Sequence, residues 1–298
     1  MDTDEPGGEG ELVRVTAVGI CGSDLAYLRR GSTQIVGHEI AAVAEDGTPV
    51  AVEAVARCGA CTWCLGGRYN LCEVAGRDIL GMTVPGGMAE YCRAPRSALV
   101  PLPPGLSPDD AALVEPGAVA WHACRKGEVG PGNRVAVVGA GTIGLLAVAA
   151  ALRMGAPEVG LVARHPFQTA AGERLGATAS SGPYDVVIEA SGSESGLHRA
   201  LELVRALGTV VTVGVFPPGI TWPYRAAFLK EARVVPSMAY GQDDTGAREF
   251  DLSARMLADR PDIARTLITH RFGLGDAVRA FEVAASRPPG TFKVVVHP

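Results

Sequence analysis

The hydrophobic positions of the chain change their spacing at about residue 117. Before that point, short apolar runs typical of β-strands are separated by clusters of glycine, proline and cysteine; these runs are ELVRVTAV, IAAVAE, PVAVEAV and SALVPL. After about residue 134, strand-like and helix-like runs alternate; they are RVAVVGAG, TIGLLAVAAALRMGA, EVGLVARH, QTAAGERLGA, YDVVIEASG, LHRALELVRALG and TVVTVGV. The pattern predicts a β-rich domain followed by an α/β domain, whose parallel sheet is wound with helices.

The segment VAVVGAGTIGLLAVAAAL at 135–152 is uncharged over 18 positions, which reaches the lower limit for a membrane span. Its glycines divide it into a short strand, a turn and a helix, so we interpret it as a buried part of the α/β domain. Glycines in such a turn let the backbone approach a pyrophosphate, and the helix N-terminus offers unpaired N–H groups. The motif GAGTIG therefore predicts a dinucleotide site at Gly139, Gly141, Thr142, Ile143 and Gly144. A tight structural turn in another kind of α/β domain is the alternative.

Length, charge and the first residues limit the possible partners. A chain of 298 residues is long enough for two domains, and its net charge of −5 includes no concentrated cationic face, so we expect no nucleic-acid partner. The opening MDTDEPGGEGE lacks the basic and apolar parts of a signal peptide. We therefore expect a cytoplasmic protein with no membrane partner.

Four of the seven cysteines lie in RCGACTWCLGGRYNLC. The spacing C-x2-C-x2-C-x7-C of Cys58, Cys61, Cys64 and Cys72 suits a loop folded around one tetrahedral zinc. Disulfides or reduced core cysteines are the alternative, and a reducing compartment disfavours the disulfides. A zinc with four thiolate ligands has no open position for substrate, so these cysteines predict a structural site. Any reacting metal must lie elsewhere.

A family resemblance emerges from motifs along nearly the whole chain. In order, they are VGICGSD, GHE, the four-cysteine loop, GGMAEY, LVEP, VAVVGAGTIGLL, VVIEASG and LITHRF. Together they resemble the zinc-dependent medium-chain dehydrogenases, nearest the branch of threonine, sorbitol and cyclitol dehydrogenases. This resemblance implies a doubly wound Rossmann domain at 118–243 and a split, β-rich GroES-like catalytic domain at 1–117 and 244–298.

The resemblance also implies a catalytic zinc with an open position for substrate. Cys21, His38 and either Glu39 or Glu115 would hold this zinc, so that two zinc ions are expected per chain. Ser23 would accept the proton of the substrate alcohol. Many relatives carry a histidine three positions further on, which passes this proton to solvent, but Ala26 stands there in this chain.

The type of nicotinamide cofactor is predicted from the end of the second α/β strand, EVGLVARH. An acid at this position usually binds the adenine ribose and selects NAD, but Ala163 occupies it and is followed by Arg164 and His165. A guanidinium at Arg164 can bind a 2′-phosphate, so we expect NADP(H) in preference to NAD(H). A solvated arginine at a strand end is the alternative. The resemblance adds three cofactor-binding residues, which are Val213, Gly214 and Lys293.

These observations predict a zinc-dependent oxidoreductase that transfers hydride between a small alcohol and a nicotinamide cofactor. By resemblance, the substrate is a secondary alcohol or polyol of the sugar alcohol, cyclitol or amino alcohol type. Two other functions are weighed: a non-catalytic nucleotide-binding protein with a trimmed catalytic lobe, and a zinc-free quinone or enone reductase. The joint presence of the ligand residues argues against both. A homodimer or homotetramer is expected, with RVVPSMAYG as the apolar edge of the nucleotide-binding sheet.

Overall fold

A computed structural model describes residues 10–55 and 57–298 of the chain. The chain divides into two compact units: a split unit, Met1–Glu115 with Gly241–Pro298, and an inserted unit, Pro116–Tyr240. The predicted boundaries at 117 and 244 lie two and three residues after these divisions.

The described residues form strands and helices in the following order. The strands are β1 (Glu11–Gly19), β2 (Glu39–Val43), β3 (Pro49–Val52), β4 (Tyr91–Ala94), β5 (Leu99–Pro101), β6 (Arg134–Val138), β7 (Glu158–Val162), β8 (Thr178–Ala179), β9 (Tyr184–Glu189), β10 (Val204–Thr212), β11 (Arg233–Pro236), β12 (Ile268–Gly273) and β13 (Lys293–His297). The helices are α1 (Gly22–Arg29), α2 (Thr62–Leu65), α3 (Val114–Lys126), α4 (Thr142–Arg153), α5 (Pro166–Leu175), α6 (Glu194–Leu203), α7 (Tyr224–Lys230), α8 (Glu249–Asp259), α9 (Pro261–Leu267) and α10 (Ala277–Ser286).

The split unit is built on a seven-stranded sheet of order β12-β13-β1-β2-β3-β5, with β4 also paired to β1. The first strand reads ELVRVTAVG. Its side chains alternate between buried and less buried positions as far as Ala17, and Val13, Val15 and Val18 enter one core. β1 pairs antiparallel with β2 and with β13. As a result, Gly19, Glu39 and Lys293, which are far apart in sequence, lie close together at the ends of three neighbouring strands.

The inserted unit has a six-stranded parallel sheet of order β11-β10-β9-β6-β7-β8. Its strand order reverses between β6 and β9, and in doubly wound sheets ligands bind beyond the carboxyl ends of the strands at such a point. Helix α4 follows β6, and most of its residues are buried, which explains its uninterrupted apolar sequence. In the described ranges, no helix is long and apolar enough to span a membrane.

One predicted helix ends earlier than its pattern suggests. The run LHRALELVRALG was predicted as a helix to Gly208, but α6 ends at Leu203 and β10 begins at Val204. The ammonium group of Lys230 donates hydrogen bonds to the carbonyls of Leu201, Glu202 and Val204, at 2.7, 2.8 and 2.6 Å. These contacts satisfy the last carbonyls of the helix and so stabilise its end.

Candidate active site

The first part of the candidate site forms where β1 passes into α1. Cys21 directly precedes this helix, and its backbone N–H donates to the Asp24 carboxylate at 2.8 Å. The fully buried Asp24 also accepts from the backbone N–H of Gly37 at 3.3 Å. Its carboxylate therefore fixes both the start of the helix and the loop that carries His38.

His38 is oriented by the same carboxylate. Its Nδ1 lies 3.1 Å from Asp24 Oδ1, and its Nε2 lies 3.5 Å from the hydroxyl of Ser23. Burial alone would lower the pKa of His38, but the hydrogen bond to Asp24 and the neighbouring Cys21 raise it well above 6.5. A carboxylate that holds one ring nitrogen leaves the other free for a metal, which is a common arrangement for histidine ligands.

Glu39 is the next residue and begins β2. Both of its carboxylate oxygens lie 2.6 Å from the ammonium nitrogen of Lys293, which also donates to the carbonyl of Ile20 at 3.2 Å. Ligand atoms of Cys21, His38 and Glu39 all lie within 4.8 Å of one another. One thiolate, one imidazole and one carboxylate form a donor set that zinc accepts, so these residues fit the catalytic metal that the sequence implied.

Glu115 lies outside this close set of three, in the first turn of α3. Burial raises the pKa of Glu115 to about 7; His38 opposes the shift, and Glu39 adds to it. The carboxyl of Glu115 therefore interacts electrostatically with the predicted ligands. The described geometry favours Glu39 over Glu115 as the carboxylate member of the set.

The four-cysteine loop forms a second and separate cluster. The sulfur atoms of Cys58, Cys61, Cys64 and Cys72 all lie within 4.8 Å of one another. Backbone N–H groups point at these sulfurs: that of Cys58 donates to Cys72 Sγ at 3.3 Å, and that of Cys61 donates to Cys58 Sγ at 3.3 Å. A backbone hydrogen bond from Cys64 lowers the pKa of Cys61 to about 6. All seven cysteines lie in the described ranges as free thiols, so the cluster fits a closed tetrahedral zinc site rather than a disulfide.

The glycine turn of the inserted unit has the form that a dinucleotide requires. A Cβ atom at Gly144 would collide with the carbonyl oxygen of Gly139, so this glycine permits the close approach of helix and strand. At Gly141, by contrast, a Cβ atom would meet nothing within 4 Å. Packing within the protein does not explain a glycine there, whereas a pyrophosphate bound against the start of α4 does. Thr142 and Ile143 form the first turn of that helix.

The end of β7 presents Arg164 and His165 to solvent. Their backbone N–H groups donate to the side-chain oxygen of Gln168, at 3.1 and 3.2 Å, and the His165 ring stacks on Phe167. In the described part of the chain, the Arg164 guanidinium has no ion-pair or hydrogen-bond partner. This group is therefore available to an anionic ligand.

The remaining predicted cofactor residues lie in different places. Val213 and Gly214 follow the end of β10, where both backbone N–H groups donate to the carbonyl of Glu189, at 2.9 and 3.1 Å. Lys293 lies in the split unit with Glu39 as its partner, so its role in cofactor binding stays a prediction. Sequence reasoning missed Asp24 and Glu189 as functional candidates. Both stand inside motifs used for the family resemblance, GSD and IEASG, but only the fold shows what their carboxylates hold.

Comparison with known proteins identifies the family. Residues 8–104 match the alcohol dehydrogenase GroES-like domain. The chain is 32% identical to D-xylulose reductase A of Aspergillus oryzae, over 93% of this chain and 87% of that protein. It is 30% identical to sorbitol dehydrogenase of Bacillus subtilis, over 96% of this chain and 90% of that protein. A solved zinc-binding dehydrogenase from Sinorhizobium meliloti, bound to NADP, is similar at TM-score 0.84 and 30% identity, over 99% of this chain and 94% of that one. The chain therefore belongs to the zinc-dependent medium-chain dehydrogenase/reductase family, in its polyol dehydrogenase branch.

Proposed function

We propose that the protein is a zinc-dependent oxidoreductase that interconverts a polyol, or another small secondary alcohol, and its ketone with NADP(H). The observation that carries this proposal is the set of Cys21, His38 and Glu39, whose ligand atoms lie within 4.8 Å of one another. The relatives named xylulose reductase and sorbitol dehydrogenase support a polyol as substrate. A second and separate zinc at the four-cysteine loop would stabilise the split unit.

The residues around the proposed catalytic metal have distinct tasks. A zinc held by Cys21, His38 and Glu39 would supply Lewis acidity that lowers the pKa of a substrate hydroxyl. Ser23 lies beside the His38 ring and is partly exposed, so its hydroxyl can take the proton that the alcohol releases while it passes its own proton to water. Asp24 keeps the His38 ring in place, and Lys293 offsets the negative charge of Glu39. A bound nicotinamide would supply the redox chemistry as the acceptor of hydride from the alcohol carbon.

The preference for NADP(H) is proposed from the end of β7. Ala163 leaves no carboxylate to repel a 2′-phosphate, and the exposed guanidinium of Arg164 can form a charge-assisted bond with it. Such a bond, at about 1.5–3 kcal/mol, corresponds to about a ten- to hundredfold preference. The related structure bound to NADP supports this choice of cofactor.

The function is tested by initial rates on a panel of polyols and simple secondary alcohols with each cofactor. We expect turnover with at least one polyol and a higher kcat/KM for NADP than for NAD. Arg164→Ala should remove most of that preference, and Ala163→Asp with Arg164→Ile should reverse it. Equal or NAD-favoured values in the wild type would reject the cofactor proposal alone. Nucleotide binding without turnover on any alcohol would favour the non-catalytic alternative.

We further propose that a second copy of the chain covers the edge of the sheet at β11. This strand is at the end of the sheet order, and beside it lies a groove of about 560 Å³ lined by large apolar side chains; they include Trp222, Tyr224, Phe228, Leu229 and Val234. Phe228 and Leu229 are 61% and 65% exposed, which is unusual for a surface that stays in water. Light scattering should show a dimer or tetramer that Phe228→Glu dissociates, and a monomeric wild type at micromolar concentration would reject this.

A further inference from the structure

Glu189 ends β9 at the point where the strand order of the inserted unit reverses. The residue is fully buried, although it stands at the edge where doubly wound sheets bind their ligands. In the described part of the chain, no lysine, arginine or histidine pairs with its carboxylate. Burying a carboxylate costs free energy unless hydrogen bonds replace its contacts with water. The groups that donate to Glu189 therefore show which parts of the structure it holds in place.

The carboxylate holds the loop that follows its own strand. Oε1 accepts hydrogen bonds from the backbone N–H of Ser191, at 2.9 Å, and from the Ser191 hydroxyl. Oε2 accepts from the backbone N–H of Gly192 at 3.3 Å. The Ser191 hydroxyl is linked in turn to Ser193, whose side chain caps the N-terminus of α6 by accepting from the Gly196 N–H. One carboxylate thus fixes the whole turn from β9 into α6.

The loops that follow β10 and β6 also contact Glu189 or the turn that it holds. The Glu189 carbonyl accepts from Val213 and Gly214, which follow β10. A Cβ atom at Gly214 would lie 2.8 Å from Glu189 Oε2, so this loop also packs against the carboxylate. On the other side, a Cβ atom at Gly139 would lie 2.7 Å from the backbone nitrogen of Ser191. The loops after β6, β9 and β10 therefore contact one another through Glu189 and the turn that it holds.

We infer that Glu189 is a positioning residue for the nicotinamide half of the dinucleotide. The inference rests on the proposed function, because it assumes that the inserted unit binds a nicotinamide dinucleotide. In a doubly wound sheet, residues just after the second strand, here Ala163 and Arg164 after β7, contact the adenosine half. The loops after β9 and β10, which Glu189 holds, belong to the other half of the sheet, so they serve the other half of the ligand. Burial raises the pKa of Glu189, and the hydrogen bonds from Ser191 oppose this shift.

The two halves of the cofactor provide the test. Dissociation constants of NADPH and of adenosine 2′-monophosphate are measured on the wild type, Glu189→Ala, Glu189→Gln and Arg164→Ala. Losing hydrogen bonds to a charged group should raise the dissociation constant of NADPH by about tenfold or more in Glu189→Ala. Glu189→Gln keeps one oxygen acceptor, but its amide N–H would face the backbone N–H of Gly192. Its loss of NADPH affinity should therefore be smaller than that of Glu189→Ala. Neither substitution should change the binding of adenosine 2′-monophosphate by more than about twofold, whereas Arg164→Ala should weaken both ligands.

Glu249→Gln is the matched control for loss of a buried carboxylate. Glu249 lies in the split unit, is as fully buried as Glu189, and accepts from the backbone N–H of Gly241 at 2.5 Å. This variant should lower the melting temperature and leave both dissociation constants unchanged. Equal weakening of the two ligands in the Glu189 variants, or unchanged NADPH binding, would overturn the positioning role. A wild type that binds neither NADPH nor NADH would instead overturn the proposed function.

Discussion

The ammonium nitrogen of Lys293 lies 2.6 Å from each carboxylate oxygen of Glu39, and both side chains are buried in the split unit. Burial opposes a charge on the ammonium, but Glu39 outweighs this effect and raises the pKa of Lys293. The pair brings together the end of the chain and a predicted metal ligand of β2. Lys293 therefore fixes the orientation of the Glu39 carboxylate.

Lys293→Met should leave Glu39 buried without its partner. Removing one member of a buried ion pair costs about 3–5 kcal/mol, so we expect the free energy of unfolding to fall by about this amount. The double variant Glu39→Leu with Lys293→Met should recover a large part of the loss, because no unpaired charge remains. Urea unfolding of the wild type, both single variants and the double variant measures the coupling. Strictly additive losses would show that the two groups do not stabilise each other.

Asp24→Asn should weaken metal binding at the neighbouring site. The substitution keeps the size of the side chain but removes the charge that orients His38 through Nδ1. Loss of such an orienting carboxylate costs about 10–100-fold in metal affinity or activity. Competition with a zinc chelator gives the affinity, and zinc at the four-cysteine loop serves as an internal control that should not change. Unaltered affinity for the catalytic zinc would show that Asp24 does not orient His38 for metal binding.

Lys230→Met should destabilise the inserted unit by removing the cap at the end of α6. The ammonium group donates to three carbonyls there, and hydrogen bonds from a charged donor are worth about 1.5–3 kcal/mol, so we expect a loss of about 2 kcal/mol. Lys126→Met is the control, because Lys126 is exposed at the end of α3 and should change stability by less than about 0.5 kcal/mol. Comparable losses in the two variants, measured by thermal unfolding, would contradict a specific cap.

Lys230 also shows why part of the fold could not be read from the sequence. The run LHRALELVRALG has good helical periodicity throughout, and the group that ends the helix is about thirty positions away in the chain. By contrast, the sequence predicts the glycine turn, the strand before it and the helix after it correctly, because the turn needs special backbone geometry and both elements are local apolar runs. Periodicity and glycine positions are local signals, whereas a cap from another helix depends on tertiary contacts.

The candidate site also contains one part that the sequence predicts and one part that depends on tertiary contacts. Spacing alone brought Cys58, Cys61, Cys64 and Cys72 together, because a short loop limits where its ligands can go. The partner of Lys293 could not be inferred in this way, because Glu39 is 254 positions away and only the sheet register places the two side by side. The carboxylate of Glu189 was overlooked for a related reason: its partners are mainly backbone N–H groups, which have no sequence signature.

Glu53 gives a prediction about pH. Its buried carboxylate accepts from the Tyr69 hydroxyl at 2.6 Å and lies 3.4 Å from the guanidinium of Arg57. Burial raises the pKa of Glu53 above 4.5, against the opposing effects of Tyr69 and Arg57. The folded protein therefore binds this proton more tightly than the unfolded chain does. The free energy of unfolding should fall as the pH rises from 4.5 through the folded pKa.

Glu53→Gln removes this proton and keeps an acceptor for Tyr69. The stability of the variant relative to the wild type should therefore increase as the pH rises from 4.5 through the folded pKa of Glu53. Melting temperatures of both proteins over this range, in the same buffer series, provide the measurement. Parallel curves would show that Glu53 has no raised pKa in the folded protein.

The central claim is that Cys21, His38 and Glu39 hold a reactive zinc that is separate from the four-cysteine loop. Its most direct test measures zinc content together with polyol-dependent reduction of NADP, in the wild type and in Cys21→Ser. We expect about two zinc ions per chain and turnover in the wild type. Cys21→Ser should retain about one zinc, bind NADPH normally and show no turnover, whereas Cys61→Ser should lose the other zinc and much of its stability. A Cys21→Ser protein that keeps both zinc ions, or that still oxidises a polyol at the wild-type rate, would contradict the claim.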